Sequence, residues 1–128
     1  MSKREVRSAA APAPLGTYSQ AIAVGDFLYT SGMGPIHPET GEIVGTDVAE
    51  QTRQVLANLK AILAEHGLGF DDVVKSTVHL EYLHRDFAAY DKEYRSHFTK
   101  PYPVRTTVGS DLMNILVEID FVAYKQQS

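Results

Sequence analysis

Neither cysteine nor tryptophan occurs among the 128 residues of this chain. The first absence removes disulfides, thiolate nucleophiles, cysteine-bound zinc and iron–sulfur clusters in one step. No apolar run reaches the roughly 18 residues that a bilayer-spanning helix needs. The charged start Met1-Ser2-Lys3-Arg4-Glu5 is not followed by the apolar stretch of a signal peptide, so a cytoplasmic location is the expectation. A basic excess is missing too. With 16 acids against 12 bases the net charge is −4, and the bases are scattered, which leaves no electrostatic footprint for nucleic acid. The chain has no GxSxG elbow, no GxxxxGK phosphate loop and no HExxH helix. Its histidines, at 37, 66, 79, 84 and 97, show no ligand spacing on one element, and no metal site is expected.

What is present fits one compact domain spanning residues 1–128, with 44% hydrophobic and 22% charged residues, close to the soluble globular average. Residues 1–15, with Ala9-Ala10-Ala11-Pro12-Ala13-Pro14, read as an extended lead-in, and order is expected from about Gly16. Ala21–Val24, the turn Gly25-Asp26 and Phe27–Ser31 predict a hairpin. Gly32-Met33-Gly34 runs into Pro35 rather than a helix, so it reads as a break at a strand end or as a turn whose exposed N–H groups take an anion. Pro38-Glu39-Thr40-Gly41 signals a second small hairpin. Asp47 and Glu50 form a capping box for a helix over Val48–His66, with Val48, Thr52, Val55, Leu56, Leu59, Ile62 and Leu63 on one face. A strand follows at Val73–Leu80, with Val74, Ser76, Val78 and Leu80 sharing a face, and a second helix at about Asp86–Phe98. Tyr90 and Tyr94 read as core-edge aromatics.

The order strand pair, helix, strand, helix, strand pair predicts an α+β domain with two helices on one face of a single sheet. So short a chain cannot cover the other face. If Leu28, Leu116, Val122 or similar residues lie there, self-association is expected.

Two runs near the end carry ionisable residues within strand patterns. In Val104-Arg105-Thr106-Thr107-Val108, the alternation predicts Val104, Thr106 and Val108 toward the core, with Arg105 and Thr107 away from it. In Val117–Ala123 the apolar row leaves Glu118 and Asp120 on the opposite face. A hairpin closed by Gly109–Asn114, with Thr106 beside Val117, would set Arg105 opposite Glu118. That pair reads either as a cross-strand ion bridge on a solvated face, worth about 0.2–1 kcal/mol, or as a carboxylate grip beside an acid that handles a proton or water. Tyr18, in a non-regular stretch beside Gly16 and Gln20, either faces a cleft or simply packs.

Gly16-Thr17-Tyr18-Ser19-Gln20-Ala21, Tyr29-Thr30-Ser31-Gly32, Pro38-Glu39-Thr40-Gly41-Glu42, Gln51–Leu59, Tyr102–Val108 and Val117-Glu118-Ile119 together resemble the RidA/YjgF family, over about Pro14 to Ala123. The resemblance implies a chorismate-mutase-like α+β subunit with one mixed sheet, and a homotrimer whose sheets form a central barrel with ligand clefts between subunits. It also implies cofactor-free hydrolysis of reactive enamine and imine acids, of the 2-aminoacrylate and 2-iminopropionate type, to 2-oxo acids and ammonia. Carried over by position, Arg105 is the carboxylate-binding arginine and Glu118 the water-handling glutamate. Tyr18 is the cleft tyrosine, Ser31 and Gly32 the strand end lining the pocket, and Asp91 and Thr107 stand at substrate-binding positions. Three residues depart from the family pattern: Thr107 replaces a frequent cysteine, Met33 a common glutamine and Asp91 a frequent asparagine.

In the implied chemistry the planar Arg105 fork fixes a substrate carboxylate, and Glu118 takes a proton from the attacking water and returns it to the departing amine. No metal or nucleotide is required. A second reading is a trimer that binds small carboxylates as a sensor or chaperone without turnover. A third, endoribonuclease activity, is disfavoured by the acidic balance and the lack of a basic cluster.

Overall fold

The computed structural model describes residues 2–126, so residues 1, 127 and 128 of the expected domain lie outside the described residues. One sheet is built from β1 (Arg4–Val6), β2 (Ala21–Val24), β3 (Phe27–Thr30), β4 (Val73–Leu80), β5 (Val104–Gly109) and β6 (Val117–Tyr124). Its strand order is β1-β2-β3-β6-β4-β5. Helices α1 (Val48–Glu65) and α2 (Leu83–Arg95) pack on one face, as the element order predicts.

Local chemistry sets these elements. Asp47 caps α1 by accepting from the Glu50 amide at 2.8 Å, and the Glu50 carboxylate reaches back to the Asp47 amide. The apolar row Val55, Leu56, Leu59, Ile62 and Leu63 is fully buried, each side chain contributing about 1.5–3 kcal/mol of apolar burial. The β2–β3 hairpin turns at Gly25, whose φ of 57° lies in the left-handed region that favours glycine. The turn at Pro38–Gly41 closes a small bridge between Ile36 and Ile43.

Three expectations need correction. Order does not wait for Gly16: within the extended lead-in, Arg4–Val6 pairs with Ala21–Ala23 as an edge strand. Gln20 explains why. Its buried side chain accepts from the Ser8 amide at 2.7 Å and donates to the carbonyls of Ser8, Ala11 and Pro12, replacing the ladder that the prolines cannot supply.

The second correction is topological. β5 and β6 do not form a hairpin, because β4 lies between them, parallel to β5 and antiparallel to β6. Since β4 reaches β5 through α2, the two strands form a crossover unit and must run parallel. The connection from Ser110 to Leu116 then crosses the end of β4, tied by the Leu112 amide to the Glu81 carboxylate at 2.8 Å and by the Leu116 amide to Gln51 Oε1 at 2.7 Å.

The third follows from this register. Arg105 pairs with Ser76 and Thr107 with Val78, both buried under the helices, so Arg105 and Thr107 face the helix side. Val104, Thr106 and Val108 face away from it. The bulge at Val73–Lys75 likewise leaves Val74 exposed rather than on the row of Ser76, Val78 and Leu80.

The open face holds Phe27, Tyr29, Val104, Val108 and Tyr124, all substantially exposed, together with Val122. Leu28 is instead fully buried on the helix side, and Leu116 packs against the core. Gln20→Leu should keep the side-chain volume while stranding the Ser8 amide and three carbonyls, lowering stability by about 1–3 kcal/mol. Denaturant melting checks the loss, and faster hydrogen exchange confined to Arg4–Val6 and its neighbours checks its location. An unchanged melt would dismiss this role.

Candidate active site

β5 and β6 carry the two ionisable candidates to opposite sides of the sheet. Arg105 shares the helix face with Ser76 and Phe121, whereas Glu118 pairs with His79, itself level with Val108, on the open face. The expected cross-strand contact between Arg105 and Glu118 is therefore not formed within one chain. Two cavities result, and they share no lining residue.

The first, of about 380 Å³, lies between α2 and β5 and is lined by Arg105, Asp91, Arg95, Tyr94 and Tyr102 among others. Arg105 Nη1 donates to Asp91 Oδ1 at 2.7 Å, and the other Asp91 oxygen lies 3.6 Å from Arg95. The guanidinium carbon sits 4.9 Å from the Tyr94 ring centroid, 5.4 Å from Tyr90 and 5.8 Å from Phe87. These rings form an electron-rich shelf that holds the fork in place. Burial opposes the Arg105 charge, but the Asp91 hydrogen bond, with the electrostatic pull of Tyr90, Asp91 and Tyr94, raises its pKa overall. Burial also pushes the Tyr90 hydroxyl up to about 12, against Thr107 and Arg105, which act to lower it. Thr107 thus stands behind the arginine, facing Tyr90. Tyr90 and Tyr94 are buried core aromatics, deeper than the core-edge position expected of them.

The second cavity, of about 560 Å³, opens beside Glu118 and is lined by Tyr18, Gly32, Met33 and Ile115 among others. Met33 exchanges backbone hydrogen bonds with Ile119, at 2.8 and 3.2 Å, which presses the strand end at Gly32 against β6. A Cβ on Gly32 would lie 2.6 Å from Glu118 Oε2, so only glycine leaves the carboxylate room there. The Gly32-Met33-Gly34 break is therefore a seat for an acid, which does not favour an anion-binding turn. Ser31 stands just behind, its amide and hydroxyl both donating to the Gln20 carbonyl at 2.9 and 3.3 Å, and it supports this wall without lining the cavity. Tyr18 is half exposed, and its hydroxyl accepts from the Leu15 amide at 3.0 Å. Further along the open face, burial raises the Asp120 carboxyl against the opposing effects of His79 and Lys75.

Sequence reasoning gave no role to the residues that hold this second cavity open. Asn58 donates to the carbonyls of Gly34 and Ile36 at 3.1 and 2.9 Å, and Gln51 donates to the Gly45 carbonyl at 3.1 Å. Both amides are buried polar residues on a mostly apolar helix face. That placement was a signal in the sequence, since buried amides persist where they satisfy backbone groups.

Both halves lie within the region that matches the family described as Endoribonuclease L-PSP, residues 8–125. The chain belongs to this family, also called RidA/YjgF. A RutC family protein of Pyrococcus abyssi is 44% identical over 128 residues, covering 98% of this chain and all of that protein. Reactive Intermediate Deaminase A of Arabidopsis thaliana is 38% identical over 125 residues, covering 96% of this chain and 66% of the plant protein. Among solved structures, Escherichia coli TdcF with bound serine aligns with a TM-score of 0.88 at 33% identity, covering 96% of this chain and 99% of that one. The six-stranded mixed sheet with two helices is therefore the RidA/YjgF fold.

The seat of Glu118 generates a direct test. Gly32→Ala meets only the mobile end of a side chain, so its thermal midpoint should stay within a few degrees of the parent, equivalent to about 1 kcal/mol. A crystal structure should nonetheless show the Glu118 carboxylate displaced from residue 32. An unmoved carboxylate would contradict the close approach.

Proposed function

We propose that the protein is a cofactor-free deaminase that hydrolyses 2-imino acids and their enamine tautomers to 2-oxo acids and ammonia, at sites shared between subunits of a homotrimer. The observation that carries this reading is the Glu118 carboxylate seated on Gly32 at an otherwise uncharged cavity, with an aromatic-backed arginine on the opposite sheet face. Two copies can bring together what one copy separates. The exposed aromatic and aliphatic open face supplies a reason for them to associate, and β5, at the sheet edge, carries Arg105 close to that boundary. The deaminase name of the plant relative and the serine bound to TdcF support an amino-acid-like carboxylate as ligand.

In the mechanism, Arg105 of one subunit grips the substrate carboxylate and fixes the imine carbon. Glu118 of the next takes a proton from a water as its oxygen attacks that carbon, forming a carbinolamine. That proton goes to the imine nitrogen; Glu118 then takes the hydroxyl proton of the carbinolamine and passes it to the amine, the C–N bond breaks, ammonia leaves and the carbonyl of the 2-oxo acid forms. Tyr18 and Gly32 border the reacting centre, while Thr107 stands behind Arg105. Because imines already hydrolyse readily, positioning and one acid–base group suffice.

Arg105→Ala should lower kcat/KM for 2-iminopropionate about a hundredfold, and Glu118→Gln should lower kcat by a similar factor with little change in KM. Mixing the two inactive variants tests the shared site. Random trimers should regain about a quarter of parental activity, the chance that an interface pairs an intact arginine with an intact glutamate. Additive inactivity with trimers present would place both residues in one subunit's site. Stabilisation by 2-oxo acids without turnover would make the protein a carboxylate-binding module instead. Asp91 competes with substrate for the same guanidinium, so Asp91→Asn should tighten pyruvate binding about three- to tenfold, measured by calorimetry. Weaker binding would instead make Asp91 an organiser of the fork.

A further inference from the structure

The cavity beside Glu118 is far larger than the reaction needs. Its volume of about 560 Å³ contrasts with roughly 30 Å³ for one water, so a substrate with a methyl side chain would leave most of it hydrated. Its apolar walls are Leu15, Met33, Ile36, Ile43, Met113 and Ile115, Gln20 and Asn114 add neutral polar groups, and among the described residues its ionisable lining groups are Glu118 and Tyr18. Water against such walls gains little, and an apolar group that displaces it is favoured.

The walls are also held in advance of any ligand. Asn58 and Gln51 fix the segment from Gly34 to Gly45 from below, and the Ile36–Ile43 bridge closes it on itself. Ile115 Cδ1 would come within 3.2 Å of a Cβ on Gly34, so the two sides of the cavity are already in close approach. Met33 is buried, and it lines the cavity with an apolar thioether rather than a polar group. At the rim, Leu15 and Met113 are the most exposed large apolar residues described, at 83% and 89%. A rim so exposed stands where an incoming group can be covered by it.

We infer that this cavity is a side-chain subsite that selects 2-imino acids with branched aliphatic or thioether side chains, of the leucine and methionine type, over small or acidic ones. The inference rests on the deaminase reading for its catalytic consequence, and on the cavity alone for binding. The division of labour follows from the two halves. The guanidinium side recognises the carboxylate common to all 2-imino acids, and the Glu118 side sorts them by what hangs from the reacting carbon. An acidic side chain would meet Glu118 with no cation among this chain's lining residues, and the Arg105 brought by the next subunit is already held by the substrate's own carboxylate.

The test uses the full-length protein with imines generated in place by an amino-acid oxidase from leucine, methionine, alanine and glutamate. The leucine and methionine imines should show kcat/KM at least about tenfold above the alanine imine, with the glutamate imine slowest. Met113→Lys and Ile115→Ala should each shrink the leucine-to-alanine ratio several-fold, and Met113→Lys should raise the relative rate of the glutamate imine. In parallel, thermal stabilisation by 4-methyl-2-oxopentanoate should exceed that by pyruvate at equal concentration. Hydrolysis of all imines at similar efficiency, unmoved by either variant, would overturn the subsite while leaving the deaminase reading intact. Absence of any hydrolysis with selective stabilisation retained would overturn the deaminase reading and support the subsite. Dissociation of Met113→Lys oligomers, with no selectivity in the parent, would assign the cavity to a neighbouring subunit and overturn the inference.

Discussion

Strand β4 is paired along both edges, and that constraint governs where every candidate group sits. Its buried residues Ser76, Val78 and Leu80 match the apolar row of β6 on one side and face-share with Arg105, Thr107 and Gly109 on the other. Once these registers form, a one-residue slip would expose the β6 row to solvent and bury Glu118 under the helices. The separation of guanidinium and carboxylate is thus a by-product of core packing. Neither residue can change face without dismantling the sheet.

The two helices then divide the work. α2 places three aromatic rings beneath Arg105 and brings Asp91 to its fork. α1 lends buried amides to the loop that walls the Glu118 cavity. An ion pair already made before any ligand arrives gives the arginine a fixed orientation but also an incumbent partner. A ligand carboxylate therefore gains only the difference between its own contacts and those of Asp91.

Local signals in the sequence carried far, because they rest on short-range physics. The capping box at Asp47 and Glu50 started α1 at the expected residue, and the β-branched run from Val73 to Leu80 was a strand over its expected length. The position of β5 was not legible from alternation, since Val104, Thr106 and Val108 look like a core row and Arg105 like a surface residue. What decides their orientation is the crossover through α2 and the aromatic shelf under the guanidinium, both long-range. The same limit hid the edge strand at Arg4–Val6, whose support comes from Gln20, distant in sequence. The site residues drawn from family resemblance fall into two coherent groups in the structure, a division that their order along the chain does not reveal.

The two cavities draw on almost separate stretches of chain. Residues lining the Arg105 cavity run from Asp91 to Arg105, and those lining the Glu118 cavity come from either side of that stretch, at residues 12–43 and 113–118. Such a partition lets mutation explore each cavity with little cost to the other. A change at Asp91 can alter the hold on an acid while Met33 and Ile115 keep their shape, and the reverse. Lineages built on this chain plan can therefore diversify by small independent steps, without passing through a form that has lost both capacities at once.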